Sequence, residues 1–487
     1  MRQKVISILA LLLMAATGAT AQPAPQVPNG DFETWTYDGA NLPNNWNSYS
    51  TGEGNFIKQL GKGSVTRSTD VRPGSAGQYS CDIVSGSYMG IVAVGNLTSG
   101  RIVLGAMSAS NSANYNYSDR DGSNTKNEVV NPCAMRFTGK PKAVKVWVKF
   151  TQGTAQTTYK YAKFSAIIHS DADYIAYNDA NHDNNANKAL VVASAVKDDI
   201  ESNSGEWQEL TIPFEYTENA VEPAYILINA YTNTTPGKGS NGDHLYIDDI
   251  EMVYDLALDE TTDNTAKLTD WNDIKADVTL TRTLQTGGWN TFCAPFSTAT
   301  PSGWTVKELS SSAFDSSTGE LTLTFGAAES IEAGKPYLVK VTADVENPTF
   351  NGVTISSTTT TTETTAVDFV PTLGLTEITG DDANDILFVG SGNTLLHPTA
   401  LPANMKGFRA YFLLKDEAAL ARAFRMDFGD GETTGIKEIY DLPIYDLQFN
   451  SSSCYDLSGR KIVNSKSVKG KLQKGVYIVN GKKTVIK

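Results

Sequence analysis

The segment 143–150, AVKVWVKF, sets Val144, Val146 and Val148 against Lys145, Trp147 and Lys149 in strict alternation. A period of two belongs to a strand with one buried face, because helical geometry would scatter these residues around the axis. The theme returns in YAKFSAIIH, WQELTIPFEY, AYILINAY and HLYIDDIEMVY, between loops rich in Gly, Asn, Asp, Ser and Thr. One short window, DEAALARAF near residues 416–424, reads as helix. The expected fold is therefore all-β, built from sandwiches rather than parallel sheets.

With 487 residues, the chain is long enough for two to four domains at roughly 100–200 residues each. Residues 1–21 read as a cleavable export signal: Arg2 and Lys4, the run VISILALLLMAA, then Ala19-Thr20-Ala21. No Cys follows that run to carry a lipid, and no later stretch reaches the roughly 18 apolar residues of a membrane helix. The expected location is secreted or at the cell surface. A first unit spans 22–255, an acidic linker 256–276, a second β-rich unit 277–434 and a short β tail 435–487. Within the second unit, SSTTTTTETTAV reads as an exposed strand or hairpin, since Thr favours extended backbone.

The formal charge of −14 argues against a nucleic-acid partner, which requires a basic field to neutralise phosphates. That charge is unevenly spread: Arg460 and eight lysines, with no acid, lie between residues 460 and 487. Such a tail suits contact with secretion machinery or an anionic surface, and equally suits a solvated edge strand on which lysines discourage aggregation. Four cysteines spread over hundreds of residues exclude a disulfide miniprotein. Cys81 and Cys133 could bridge or remain buried thiols.

The opening VPNGDFETW and LPNNW, followed by SYMGIVAVGNLTSGRIV, RFTGKPKAVKVWVKF and NAYTNTTPGKGSNGDHLYIDDIEMVYD, resembles the "putative carbohydrate metabolism domain" of exported Bacteroidota proteins. The resemblance covers residues 28–255 and implies a jelly-roll sandwich akin to carbohydrate-binding modules. It also implies a structural calcium joining the first and last strands, held by Glu33 with Asp248 or Asp249. The alternative for these carboxylates is hydrogen bonding to turn amides without metal. CYDLSGRKIV and KGVYIVNGKKTVIK are similar to the C-terminal sorting domains of type IX secretion substrates.

Sugar recognition on a sandwich sets aromatic rings against the C–H faces of sugars, with amides and carboxylates around them. Tyr115, Tyr117, Tyr174, Tyr177 and Tyr231, in loops dense in Asn and Asp, are the candidates; the alternative is that each merely covers a sandwich edge. Trp35, Trp46, Trp147 and Trp207 lie in strand-like motifs and are expected in the core. Asp179, Asn181, Asp183 and Asn185 alternate like a calcium loop, but Asn184 and Leu190 stand where such a loop needs Gly and Glu. His169, His182, His244 and His397 lack metal-site spacing, and there is no GxSxG, Walker or GxGxxG signature. A glycosidase needs only two carboxylates about 5–9.5 Å apart, which no linear motif betrays among 54 acids. The favoured function is non-catalytic binding of a polysaccharide or glycoconjugate; a glycan-active enzyme and a structural or adhesive surface protein are the alternatives.

Overall fold

The computed structural model describes residues 24–36, 42–120, 131–177, 184–380 and 383–429, together with four strands of the C-terminal tail. Residues 1–21, expected as an export signal, Asp179, Asn181, His182 and Asp183, and most of the tail lie outside the described residues.

The chain is all-β, and its first unit is a jelly roll. Eight strands carry the fold: β1 (Ser80–Val84), β2 (Asn96–Thr98), β3 (Ala143–Thr151), β4 (Ala162–His169), β5 (Val191–Ile200), β6 (Gln208–Pro213), β7 (Tyr225–Tyr231) and β8 (His244–Val253). One sheet has the order β1-β8-β3-β6 and the other β2-β7-β4-β5, so the chain changes sheet at every step except between β4 and β5, which pair with each other, the order of a jelly roll. Val144, Val146 and Val148 meet Phe164, Ala166 and Ile168 across the sandwich, joined by Phe32, Trp46 and Ile247, all fully buried or nearly so. Trp46 thus belongs to the core, 5.3 Å from the Phe32 ring, and Trp35 packs against its edge.

Trp147 and Trp207 depart from the core expectation. They stand half-buried on the outer face of the β1-β8-β3-β6 sheet, because the valines of β3 take the inner positions and Trp147 falls on the lysine side of the alternation.

β7 follows a different rule from β3. Residues Tyr225 to Ala230 are all buried, so this strand is covered on both faces and its sequence reads as an apolar run rather than an alternation. Ile226, Ile228 and Ala230 enter the main core. Leu227, with Ile167 of β4, meets a small three-stranded sheet (Arg101–Leu104, Asn114–Tyr117, Ile175–Tyr177) laid over the outer face. The approach is close at Gly100, where a Cβ would stand 2.2 Å from the Tyr117 carbonyl oxygen and 2.6 Å from Leu227, so no larger residue fits.

Residues 256–276, expected as a linker, are built into the second unit. Asp255–Asp259 pairs in parallel with Lys275–Thr281, and Leu256, Leu258 and Leu268 are buried in the same cluster as Phe292, Phe296 and Tyr337. Acidic residues at its exposed positions disguise this buried leucine set. Trp271 packs on both cores. The second unit holds a further cluster around Leu323, Phe325, Phe369, Phe412 and Met426. The expected helix at 416–424 is a 3-10 stretch, Asp416–Leu420, followed by strand Ala423–Asp427. Burial of Phe424 and Met426 beside the strand Glu320–Ala327 overrides the helical propensity of its alanines. The threonine-rich segment supplies a short strand, Thr362–Glu363, paired to Phe369 and Asp368 as the second arm of a hairpin. In the tail, Lys461–Val463, Cys454–Asp456, Gly475–Val479 and Lys482–Ile486 form one antiparallel sheet in that order.

Candidate functional site

The small sheet covers only the middle of the outer face of the β2-β7-β4-β5 sheet. Register places Lys163 of β4 opposite Tyr231 of β7, and Tyr231 opposite Asn96 of β2. This cross-strand row floors a cleft of about 880 Å³, its open mouth included. Tyr49, Asn114, Tyr115 and Asn116 contribute to one wall, and Tyr88, Ile91, Asn233 and Thr234 to the other. Three turns meet at the mouth: the Tyr88–Ile91 hairpin, residues 105–109, and the turn at Gly237. That glycine has a φ of +74° and leaves only 2.8 Å between its Cβ position and Ala109. Met89, Ile91 and Met107 are exposed on this rim.

Beneath the mouth the cleft is polar. Asn116 Nδ2 donates to Asn229 Oδ1 at 2.7 Å and to the Tyr231 hydroxyl at 3.1 Å, and lies 3.4 Å from Asn96 Oδ1. All three asparagines are almost fully buried, and the Asn229 amide nitrogen is left without a hydrogen-bond partner among the described residues. Burial pushes the Tyr231 and Tyr49 hydroxyls far above the ordinary phenol range, so both remain neutral donors. The Tyr49 hydroxyl is spent on the Val94 carbonyl at 2.6 Å. Lys163 is the single cation among the lining residues, and no Asp or Glu is among them. Its pKa is lowered by burial.

Of the five tyrosines singled out in sequence, Tyr115 and Tyr231 reach this cleft. Tyr117, two residues along the same strand as Tyr115, gives its hydroxyl to Asp119 (3.0 Å) and Glu53 (3.2 Å), carboxylates that also hold Arg101. Tyr174 is buried between the sheets, stacked on His169 with ring centroids 5.4 Å apart. Tyr177 lies on the small sheet, paired in register with Tyr115. Asn96, Asn116, Lys163 and Asn233 escaped the sequence reading. The row that unites Lys163, Tyr231 and Asn96 exists only through pairing of strands far apart in the chain, although the unusual lysine at the head of an apolar strand was a visible signal.

The residues proposed for calcium do not fit an ion. Glu33 Oε1 accepts from the backbone amides of Gln78 (2.9 Å) and Tyr79 (2.8 Å). Asp248 accepts from the amides of Arg72 and Asp249, and Asp249 is ion-paired with the Arg72 guanidinium. A bulge in β8, with Asp249 at a φ of +45°, turns these two carboxylates toward Arg72. Arg72 therefore supplies the positive charge that an ion would bring. Among the described residues no group of three or more His, Cys, Asp or Glu is placed to hold a metal. Cys81 and Cys133 are separate, buried thiols rather than a bridge.

The opposite sheet face carries its own polar layer. Lys149 lies over the Tyr246 ring (4.2 Å) and the Trp207 ring (5.6 Å) and is ion-paired with Asp70, while His244 Nδ1 meets Asp82 at 3.0 Å. Its cation already occupies the ring faces a sugar would use. Where the first unit meets the second, a further concavity includes Arg72, Lys145, Glu209, Asp249, Glu251 and Lys275. These charges neutralise one another in pairs.

No protein-family model matches the chain, and no curated protein shows a match. Among solved structures it is similar to a "putative glycoside hydrolase" from Bacteroides vulgatus, at 15% identity and a TM-score of 0.28, over 47% of this chain and 95% of that one. It is also similar to carbohydrate-binding modules of the β-sandwich superfamily, at 10% identity and a TM-score of 0.20, over 39% of this chain and 52% of that one. A Stig cyclase from Fischerella sp. TAU aligns at 12% identity and a TM-score of 0.23, over 47% of this chain and 96% of that one. These likenesses are faint and lend no residue a role. Among the described residues, no helix is long and apolar enough to cross a membrane.

Proposed function

We propose that the chain is an exported glycan-binding protein whose jelly roll holds a polysaccharide or glycoconjugate in the cleft between the β2-β7-β4-β5 sheet and its small covering sheet. The observation that carries this reading is the lining itself: Tyr88, Tyr115 and Tyr231 stand beside the amides of Asn96, Asn116 and Asn233 in one concavity. Aromatic carbon and amide donors together match the two-sided chemistry of a sugar, apolar on its C–H face and rich in hydroxyls at its edge. Export rests on the apolar run and Ala19-Thr20-Ala21 at the start of the sequence. Surface attachment through the basic tail belongs to the same proposal. Retention on glycan arrays and polysaccharide columns, without release of new reducing ends, is the expected result; empty arrays and columns would remove the reading.

Hydrolysis by a carboxylate pair finds no acid among the lining residues of this cleft. One observation elsewhere favours it. On the opposite face, burial raises the pKa of Asp82, whereas at Asp70 burial, the largest single influence, is outweighed by hydrogen bonds from Lys149 and Trp207 and by the Lys149 charge, which together lower it. Opposed shifts of neighbouring carboxylates are the mark of an acid and base pair. Reducing-end release that vanishes in Asp82→Asn would establish that reading over simple binding.

A further inference from the structure

We propose that the cleft selects sugars bearing an anionic group, a uronate carboxylate foremost, seated against the Lys163 ammonium. This inference rests on the glycan-binding reading and specifies its ligand class. Lys163 is half-buried at the floor and has no hydrogen bond or ion pair with any described residue. Arg72, Arg101, Lys149, Lys335 and Lys415 are covered at least in part, and each is paired with a carboxylate. The acid that acts on Lys163 is Asp198, an exposed residue of β5 that pulls on it electrostatically without forming an ion pair.

A lysine partly withdrawn from water with no protein partner loses hydration that nothing in the sheet restores. An arriving carboxylate would supply the missing partner. It would also reverse the lowering of the lysine pKa that burial imposes. No carboxylate among the lining residues would repel it. Because the whole chain is acidic, densely charged polyanions are opposed at long range, so isolated uronates or chain ends are the better fit.

The test compares matched pairs: oligosaccharides ending in a single galacturonate or glucuronate, and hyaluronan, each against its carboxyl-reduced neutral counterpart, at constant ionic strength. The probes are titrated with the full chain and with Lys163→Gln and Lys163→Met, alongside an array of neutral glycans. For at least one pair the acidic member should bind about tenfold or more tightly, the increment of one charge-assisted contact, and both variants should reduce it to the level of the neutral member. Equal binding of the two members by the unmodified chain, a preference that survives both variants, or retention of neutral glycans alone would overturn this inference and leave the glycan reading standing. Retention of nothing would overturn both.

Discussion

His169 should make the attachment of the small sheet pH-dependent. It is fully buried at the end of β4, its Nδ1 facing the Ser170 carbonyl at 2.9 Å and its Nε2 the Ser118 hydroxyl at 2.7 Å. That arrangement fits one neutral tautomer, with Nδ1–H donating and Nε2 accepting. Tyr174 and Tyr225 stack on it, at 5.4 and 5.8 Å. Burial lowers its pKa from 6.5 to about 4, with Arg120 nearby adding to the effect and Asp173 opposing it. Below pH 6.5 the unfolded chain takes up a proton that the folded one refuses, so stability is complete above that value and falls as the pH drops toward 4. At about 1.4 kcal/mol per unit, the loss approaches 3 kcal/mol across the window.

Asp248 acts in the opposite sense: burial raises its pKa from 3.8 to about 6, so its folded form gains protons, and stability, as the pH falls through that range. The whole-chain profile therefore mixes the two. His169→Phe isolates the histidine, because a phenyl ring preserves the stacking and does not titrate. Hydrogen exchange of Asn114–Tyr117 and Ile175–Tyr177 at pH 7.5 and 4.5 is the assay. The native chain should lose between 2 and 3 kcal/mol more protection on acidification than the variant, taking about 1.4 kcal/mol per pH unit from 6.5 to 4.5. Superimposable changes in the two proteins would refute the argument.

Leu227→Ala removes the side chain that joins both sheets and should cost about 2–4 kcal/mol, measured as urea stability, with the small sheet losing exchange protection first. Tyr88→Ala at the mouth should weaken retention of whichever glycan binds by roughly tenfold while leaving the melting temperature unchanged; a folded variant with full affinity would exclude this wall from the site. Calcium or a chelator should leave the melting temperature unaltered, since backbone amides and Arg72 already satisfy Glu33, Asp248 and Asp249; a rise with calcium would contradict that geometry. Deleting residues 436–487 should release the protein from the cell surface, and unchanged localisation would dismiss a targeting role for the tail.

The all-β class was legible because alternation is a local property: Val144, Val146 and Val148 must share a face wherever the strand lies. The apolar run of β7 likewise announces a strand covered on both sides. What covers it was hidden, since the small sheet unites residues 101, 115 and 176 through pairings with no local signature. Local composition also misled. The acids of 256–276 conceal three buried leucines, and the alanines of 416–424 yield to the burial of Phe424.

The same division holds at the site. Sequence alone determined the residue types, tyrosines among asparagines, and with them the chemistry a ligand would meet. Tertiary structure decided which of them act together: it paired Tyr117 with Glu53 and Asp119, buried Tyr174 against His169, and brought Tyr231 between Lys163 and Asn96. The physical reason is that strand periodicity fixes a side chain's face from its immediate neighbours. Sheet order and register, which set its partners, depend instead on pairing strands well over a hundred residues apart, as Asn96 with Tyr231 and Val84 with His244, and on the packing of the whole core.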